Sequence, residues 1–564
     1  MPIAAQRGEI FDRTYSDPLV INVPSFAISV IPAEMDKVNV NELFGRLSET
    51  LSISQKDISE KIPPSLYYLY QPIEIKSGVN FETVSYLAEH ISEYRGVTWS
   101  KKPIRRYLET KSLSHVLGYV GDITREELQV LYNSGYKTGD IIGKSGIEKQ
   151  YDMYLRGKDG MRYRTVDVHG RSVKEMTDEI PPETGKTLVL TIDRKIQRIA
   201  EEALGERMGS VVILKPATGE IVAMASYPWY DPNIFSYSKD PQKYRELSVD
   251  PRYPFLNRAI QSSYAPASTF KIIMTTAVLA ENAFDPAKKI VCDGHIFLGG
   301  LEFHCHKKTG HGALNLYEGL AESCDVYFWQ IGLRHLGEDI ITDYAKVFGY
   351  GASTDIDLPG ETKGLVPTPQ YKEAKYNVAW VGGDTLNISI GQGDLLVTPL
   401  QMANMVAMIV NEGKIYKPHV LKEIRDPVSG DIIQSVEPEI LHTSSVEPSI
   451  FRQVKDAMRL VITDGTAKVV MTTNAVQIAG KTGTGEVGYE DRWSSWFAAY
   501  GPYDALDAED CYVVVVNVEP ENDWEWWAPK ASNIIFQAIF SDQTYDEAID
   551  SLRWGWLRNK RSPE

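Results

Sequence analysis

Ser268-Thr269-Phe270-Lys271 opens an apolar run that continues to Leu279, and the reading of this stretch decides the rest. An almost wholly apolar segment of this length predicts a buried helix. Pro266, two residues before Ser268, suits the first turn of such a helix. Ser268 and Lys271 are three apart, so they share one helical face. A serine at the helix start also lies at the positive end of the dipole, where a developing oxyanion is favoured. Alone, the four residues read as well as an N-capped core helix whose lysine snorkels to solvent. Two later segments change that reading: Ser323-Cys324-Asp325 and Lys481-Thr482-Gly483-Thr484. In this order the three describe a serine acyltransferase that uses lysine, not histidine, as its base.

Each segment has a chemical task. A lysine acts as a base only when its pKa falls from about 10.4 toward 7, through burial or neighbouring cations. The apolar helix supplies burial for Lys271, and Lys481 supplies a second cation. Ser323 can relay a proton between Lys271 and a leaving amine. Asp325 can pair with Lys271 and fix its position, while its charge opposes the fall in pKa, so that balance stays open. The run before Lys481 places Lys481-Thr482-Gly483-Thr484 on an edge strand, where Gly483 lets a substrate backbone approach and a peptide can add alongside. Lys481, Thr482 and Thr484 then offer a cation and two hydroxyls to a terminal carboxylate. The backbone N–H groups of Ser268 and Thr484 are the candidate oxyanion hole.

Around these segments the chain reads as two domains, 1–180 and 181–564. The first is polar and strand-rich, with helical patterns over Val40–Leu51 and Phe81–Tyr94. Gly143-Lys144-Ser145-Gly146 looks like a phosphate loop but lacks the strand-to-helix context that would make it one. Pro181-Pro182-Glu183-Thr184-Gly185 reads as a linker. Beyond it come a strand at Leu188–Thr191, an amphipathic helix over Asp193–Leu204, and a hairpin of Ser210–Leu214 with Ile221–Ser226. A second strand pair, Trp496–Tyr500 with Cys511–Val518, lies near the end. Helices between early and late strands of one antiparallel sheet make an α+β fold rather than a doubly wound parallel one. The Trp-rich stretches Trp524–Trp527 and Trp554–Trp556 read as tail packing onto the domain, with a membrane or partner contact as the alternative.

With 59 Lys+Arg against 76 Asp+Glu the formal charge is -17. A nucleic-acid binder needs a basic face, so that class is excluded. No uninterrupted apolar run of about 18 residues is present, so no membrane span is expected. The four cysteines, Cys292, Cys305, Cys324 and Cys511, are too few for a disulfide scaffold.

The three catalytic segments, together with stretches along nearly the whole chain, resemble the class B penicillin-binding proteins, in particular the elongation type. Those stretches are Arg7-Gly8-Glu9-Ile10-Phe11-Asp12-Arg13, Arg106-Tyr107, His115 to Gly121, Gly143 to Glu148, Leu190 to Asp193, Ile390 to Gly393 and Thr398 to Gln401. Ala267 stands where the family usually has glycine, and Asp325 where many relatives have asparagine. The resemblance implies a transpeptidase domain preceded by an elongated pedestal. It implies a DD-transpeptidase in which Ser268 attacks the D-Ala-D-Ala carbonyl of a peptidoglycan stem peptide on a lipid-linked precursor or wall strand. β-Lactams would acylate the same serine. It also implies a SEDS-family glycosyltransferase and elongation scaffold proteins as partners, no organic cofactor, and a periplasmic ectodomain natively anchored by a membrane helix absent from this chain. A division-type relative, a serine β-lactamase or β-lactam sensor, and a non-catalytic scaffold are the rival readings.

Cys292, Cys305, His311 and Cys324 carry the ligand types zinc prefers, and four of them would close a structural site. Their spacing is longer than that of a zinc finger. The elongation-type resemblance supports zinc here, with Cys324 bracing Ser323 and Asp325 from behind. A disulfide or buried free thiols are the alternatives, and His295, His304 and His306 are rival ligands. Cys511 reads as core.

Overall fold

The strand Gly209–Leu214 is buried at every position, as a central strand covered on both faces must be. It lies between Ile221–Tyr227 and Tyr512–Val518, and the sheet continues through Trp493–Gly501 to Ala479–Glu486 at the edge. All four pairings are antiparallel, so early and late strands do form one sheet. In the computed structural model this sheet and its surroundings are described for residues 2–108, 111–166, 172–237, 240–486, 493–519 and 526–558.

Helices cover the sheet. Arg194–Leu204, N-capped by Asp193, packs on Ile221–Tyr227 and against the late helix Trp527–Phe540. Pro399–Val410 is buried on all its residues between the sheet and Pro448–Thr463. Its start is a capping box of Thr398 and Gln401, which is what that stretch of the resemblance builds. Trp527 ends up stacked on the Arg207 guanidinium at 3.5 Å, with its indole N–H donating to Ala203 O, while Trp524 and Glu525 lie outside the described residues. Among the described residues no helix is long and apolar enough to cross a membrane.

The first part of the chain holds two different kinds of structure. A head made of Phe26–Val30 between Ile73–Val79 and Val97–Lys101, with helices Val40–Leu51 and Phe81–Glu89, has its own core of Ile28, Val30, Phe44, Leu47, Ile58 and Leu87. The head is inserted between Pro18–Val23 and Ile104–Tyr107. Those strands are antiparallel neighbours, with Val23 opposite Ile104. The residues around it belong instead to the main core, through Ile10, Leu19, Val20, Val116 and Leu117. They also enter a six-stranded sheet that crosses the linker. Thr187–Leu190 pairs in parallel with Ile10–Phe11 on one side and antiparallel with Leu421–Arg425 on the other.

Three stretches of the resemblance meet in one buried ionic knot. Glu148 is fully buried and receives Arg7 Nε and Arg105 Nε, each at 2.6 Å, and the Tyr107 hydroxyl at 3.3 Å. Asp152 takes Arg7 Nη2 at 2.6 Å. Burial would raise the Glu148 carboxyl, but the charges of Arg105 and Arg7 outweigh it and lower its pKa.

Gly143-Lys144-Ser145-Gly146 does have a strand before it, Ile141–Gly143, and a helix after it, Gly146–Gln150, contrary to the expectation from sequence. The glycines serve packing. A Cβ at Gly143 would lie 1.9 Å from Glu148 O, and one at Gly146 would lie 2.4 Å from Val116 O. Lys144 is tied to Glu127 at 2.5 Å. No phosphate cradle results.

Candidate active site

Ser268 sits in a turn of tight 3-10 helix, Ala267–Phe270, that runs into the helix Lys271–Ala280. At three residues per turn, positions i and i+3 eclipse, which brings the Ser268 and Lys271 side chains together. The Ala267 backbone has φ +51°, a left-handed conformation that costs an L-residue about 1–3 kcal/mol. Its N–H donates to Gly391 O at 2.8 Å, and a Cβ on Gly391 would lie 2.2 Å from Ala267 O. The Ile390 to Gly393 stretch therefore clamps the turn, a role that its sequence alone does not announce.

Lys271 is fully buried. Its Nζ lies 3.0 Å from Ser268 Oγ, 3.3 Å from Ser323 Oγ, 2.7 Å from Ser323 O and 2.6 Å from Asp325 Oδ1. Ser323, with φ +56°, is the second strained residue of the cleft. Asp325 opens the helix Asp325–Ile331, and its other oxygen accepts the His306 backbone N–H at 3.0 Å. Burial alone would raise the Asp325 carboxyl. The Lys271 charge and hydrogen bonds from His306 and Lys271 outweigh it and hold the carboxyl well below the usual range.

Lys481, Thr482, Gly483 and Thr484 lie on the edge strand Ala479–Glu486. Lys481 is fully buried, and burial, then the neighbouring Lys271 charge, push its pKa well below that of an ordinary lysine. Its Nζ donates to Thr482 O at 3.0 Å. Gly483 faces the nucleophile's turn: a Cβ there would lie 3.2 Å from Thr269 Cγ2 and 3.3 Å from Pro266 O. Its missing side chain leaves room for that turn.

Behind this wall, Cys292, Cys305, His311 and Cys324 bring their ligand atoms within 4.8 Å of one another. All four cysteines of the chain are free thiols. Cys292 ends a short strand, Ile290–Cys292, paired with Gly312–Leu314 next to His311. Cys324 caps the helix that Asp325 starts. Three thiols and one imidazole gathered this closely are the donor types and number that a closed four-ligand zinc site uses. His311 Nδ1 lies 3.5 Å from Cys292 Sγ and 3.7 Å from Cys305 Sγ. The hydrogen bond between the two sulfurs lowers the pKa of Cys305 and raises that of Cys324. His295 and His304 oppose each other on an exposed hairpin outside this set, while His306 groups with Cys305 and Asp325. Cys511 is buried elsewhere, against Pro502 O and Asp507 O.

Residues 209–541 match the penicillin binding protein transpeptidase domain, and residues 2–190 match the penicillin-binding protein dimerisation domain. The chain belongs to the class B penicillin-binding proteins. Within them it is similar to the peptidoglycan D,D-transpeptidase MrdA of Haemophilus influenzae, with 31% identity over 89% of this chain and 80% of that one. MrdA of Escherichia coli K12 is 32% identical over 86% of this chain and 77% of its own length. Among solved structures, the complex between penicillin-binding protein 2 and MreC from Helicobacter pylori matches with TM-score 0.83 and 26% identity, covering 96% of this chain and 98% of that one. A chain of a peptidoglycan synthase complex that coordinates polymerization and crosslinking matches with TM-score 0.73 and 29% identity, covering 96% and 91%. The match to penicillin-binding protein 2 structures accounts for the fold as well as the family.

Proposed function

We infer that the protein is a peptidoglycan D,D-transpeptidase of the elongation type, working through a Ser268 acyl-enzyme. One observation carries the residue assignment: a single buried amine, Lys271 Nζ, within 3.3 Å of Ser268 Oγ, Ser323 Oγ and Asp325 Oδ1. Ser268 Oγ attacks the carbonyl carbon of the penultimate D-alanine while Lys271, acting as the base, takes the Oγ proton. The oxyanion rests on the backbone N–H groups of Ser268 and Thr484. Asp325 stabilises the ammonium formed on Lys271. Collapse breaks the peptide C–N bond, and the proton passes from Lys271 through Ser323 to the leaving D-alanine amine. An amine of a neighbouring stem then attacks the acyl-enzyme, running the same steps in reverse. Lys481, Thr482 and Thr484 hold the donor's terminal carboxylate, and Gly483 admits the nucleophile's turn beside them. A β-lactam enters the same way, but its opened ring stays tethered to the acyl group, so the adduct persists.

Cys292, Cys305, His311 and Cys324 would hold zinc, which when bound supplies only a structural brace behind Ser323 and Asp325. The relatives solved with MreC and within a synthase complex support the further reading that elongation scaffold proteins dock on the first 180 residues. A SEDS-family glycosyltransferase then polymerises the glycan. Acting on peptidoglycan places the protein outside the cytoplasmic membrane.

Labelled penicillin followed by peptide mapping tests the reading. Slow-released label on Ser268 is expected. No label would favour a non-catalytic scaffold, and rapid release would favour a β-lactamase.

A further inference from the structure

The helix Pro448–Thr463 ends in a turn, Asp464-Gly465-Thr466, that none of the three catalytic segments includes. Thr466 touches both walls of the cleft. Its backbone N–H donates to Ala321 O at 3.1 Å, two residues before Ser323. Its hydroxyl lies 2.9 Å from Thr482 Oγ1 on the edge strand. Gly465 permits the approach, since a Cβ there would lie 2.2 Å from Ala321 O. Thr466 is half-buried.

The proton count at Thr482 gives this contact a function. A threonine hydroxyl has one proton and two acceptor lone pairs. Lys481 Nζ already points one donor at Thr482 Oγ1, at 3.4 Å. If the Thr466 hydroxyl donates as well, both lone pairs are engaged, and the Thr482 proton is the one left to give. Without Thr466, the Thr482 hydroxyl is free to turn its proton elsewhere.

We propose that Thr466 is a positioning residue for acyl donors that end in a free carboxylate: its hydroxyl donates to Thr482 and turns the Thr482 O–H toward that carboxylate. The ligand class is a peptide ending in D-alanine, or a β-lactam carrying the equivalent acid. The inference rests on the acyl-enzyme reading above and adds a residue to it. It separates recognition of the carboxylate from the chemistry at Ser268, because the Thr466 hydroxyl meets Thr482 and its N–H meets Ala321.

The test uses the whole chain and two acyl donors, a thioester ending in a free carboxylate and its methyl ester. Thr466→Val keeps the shape and removes the hydroxyl, and Thr466→Ser keeps the hydroxyl. Melting temperatures of both variants check the fold. Thr466→Val should slow acylation by the acid about tenfold, the size of one hydrogen bond to a charge, mostly through a higher half-saturating concentration. The ester should be slowed far less, and Thr466→Ser should recover the acid within about twofold. Equal slowing of acid and ester makes Thr466 a brace of the two walls and overturns the inference alone. No slowing of either does the same. If neither donor labels Ser268 in the unaltered protein, the acyl-enzyme reading falls and takes this inference with it.

Discussion

Ser268, Lys271, Ser323 and Asp325 form a unit in which each side chain has a partner among the other three. Ser268→Ala should abolish covalent β-lactam binding while leaving the melting temperature nearly unchanged, since only a small half-buried hydroxyl is lost. Intact-protein mass spectrometry after penicillin treatment checks it, and a stoichiometric adduct on the variant would refute the nucleophile. Lys271→Ala should lose acylation nearly as completely, and the double variant should lose no more, because groups that act together do not give additive losses. Stopped-flow acylation of the two single variants and the double variant decides it; a Lys271 variant that keeps most of its rate points to another base. The cost of holding the unit lies in the backbone. Ala267 and Ser323, each with φ above +50°, are kept strained by the Gly391 clamp and by the start of the Asp325 helix.

At the scale of elements, the pairing of a short strand with a helix start makes the metal lobe consequential. Cys324 stands between Ser323 and Asp325, and Cys305 precedes His306, whose N–H holds Asp325. The protein should bind about one equivalent of zinc, as a single four-ligand site requires. Chelation should lower the melting temperature by linkage and slow acylation. Cys324→Ser should show both defects and Cys511→Ser neither; metal-free protein with full activity would rule the site out.

Elements with a strong period were legible in the chain itself. Val40–Leu51 is a helix over those bounds, and Asp193 caps the helix that its sequence announces. The two strand pairs join in one antiparallel sheet, where short apolar runs bounded by turn residues form the central strands. Contacts that depend on distant neighbours were not legible. Thr466 is one hydroxyl in a polar turn and has no pattern. The turn carrying Ser268 beside Gly483 is not written in the Gly483 segment itself. Glu148 looks like a surface acid until Arg7 and Arg105 close over it.

Over the whole molecule, the division between pedestal and catalytic domain is less simple than a cut in sequence. The head has a separate core, whereas the strands flanking it belong to the main one. Replacing residues 25–102 by a short Asn-Gly turn should therefore preserve β-lactam acylation, since Val23 and Ile104 already face each other. A deletion of 1–180 strips Thr187–Leu190 of its parallel partner and should fold poorly. Penicillin labelling of both proteins compares them, and an inactive head-less chain alongside an active 181–564 fragment would reverse the picture.

His115 adds a pH dependence across the same junction. Its Nε2 faces Pro254 O at 2.9 Å, and burial, outweighing two carbonyl contacts, lowers its pKa to about 4 from 6.5. The unfolded chain then binds the proton more readily than the folded one. Stability is thus complete above pH 6.5 and is lost as pH falls toward 4, by up to about 3 kcal/mol. Melting curves from pH 7.5 to 5 should fall less steeply for His115→Asn than for the unaltered protein; parallel curves would remove His115 as the cause.

The six-stranded sheet also sets a timetable. Thr187–Leu190 leaves the ribosome long before Leu421–Arg425, its antiparallel neighbour. At ordinary rates of synthesis the gap is on the order of ten seconds or more. For that interval a strand that ends up wholly buried presents an open edge to any other extended polypeptide. The nascent chain is thus open to mispairing there at a time when the strand Ala479–Glu486, with Lys481, has yet to be made.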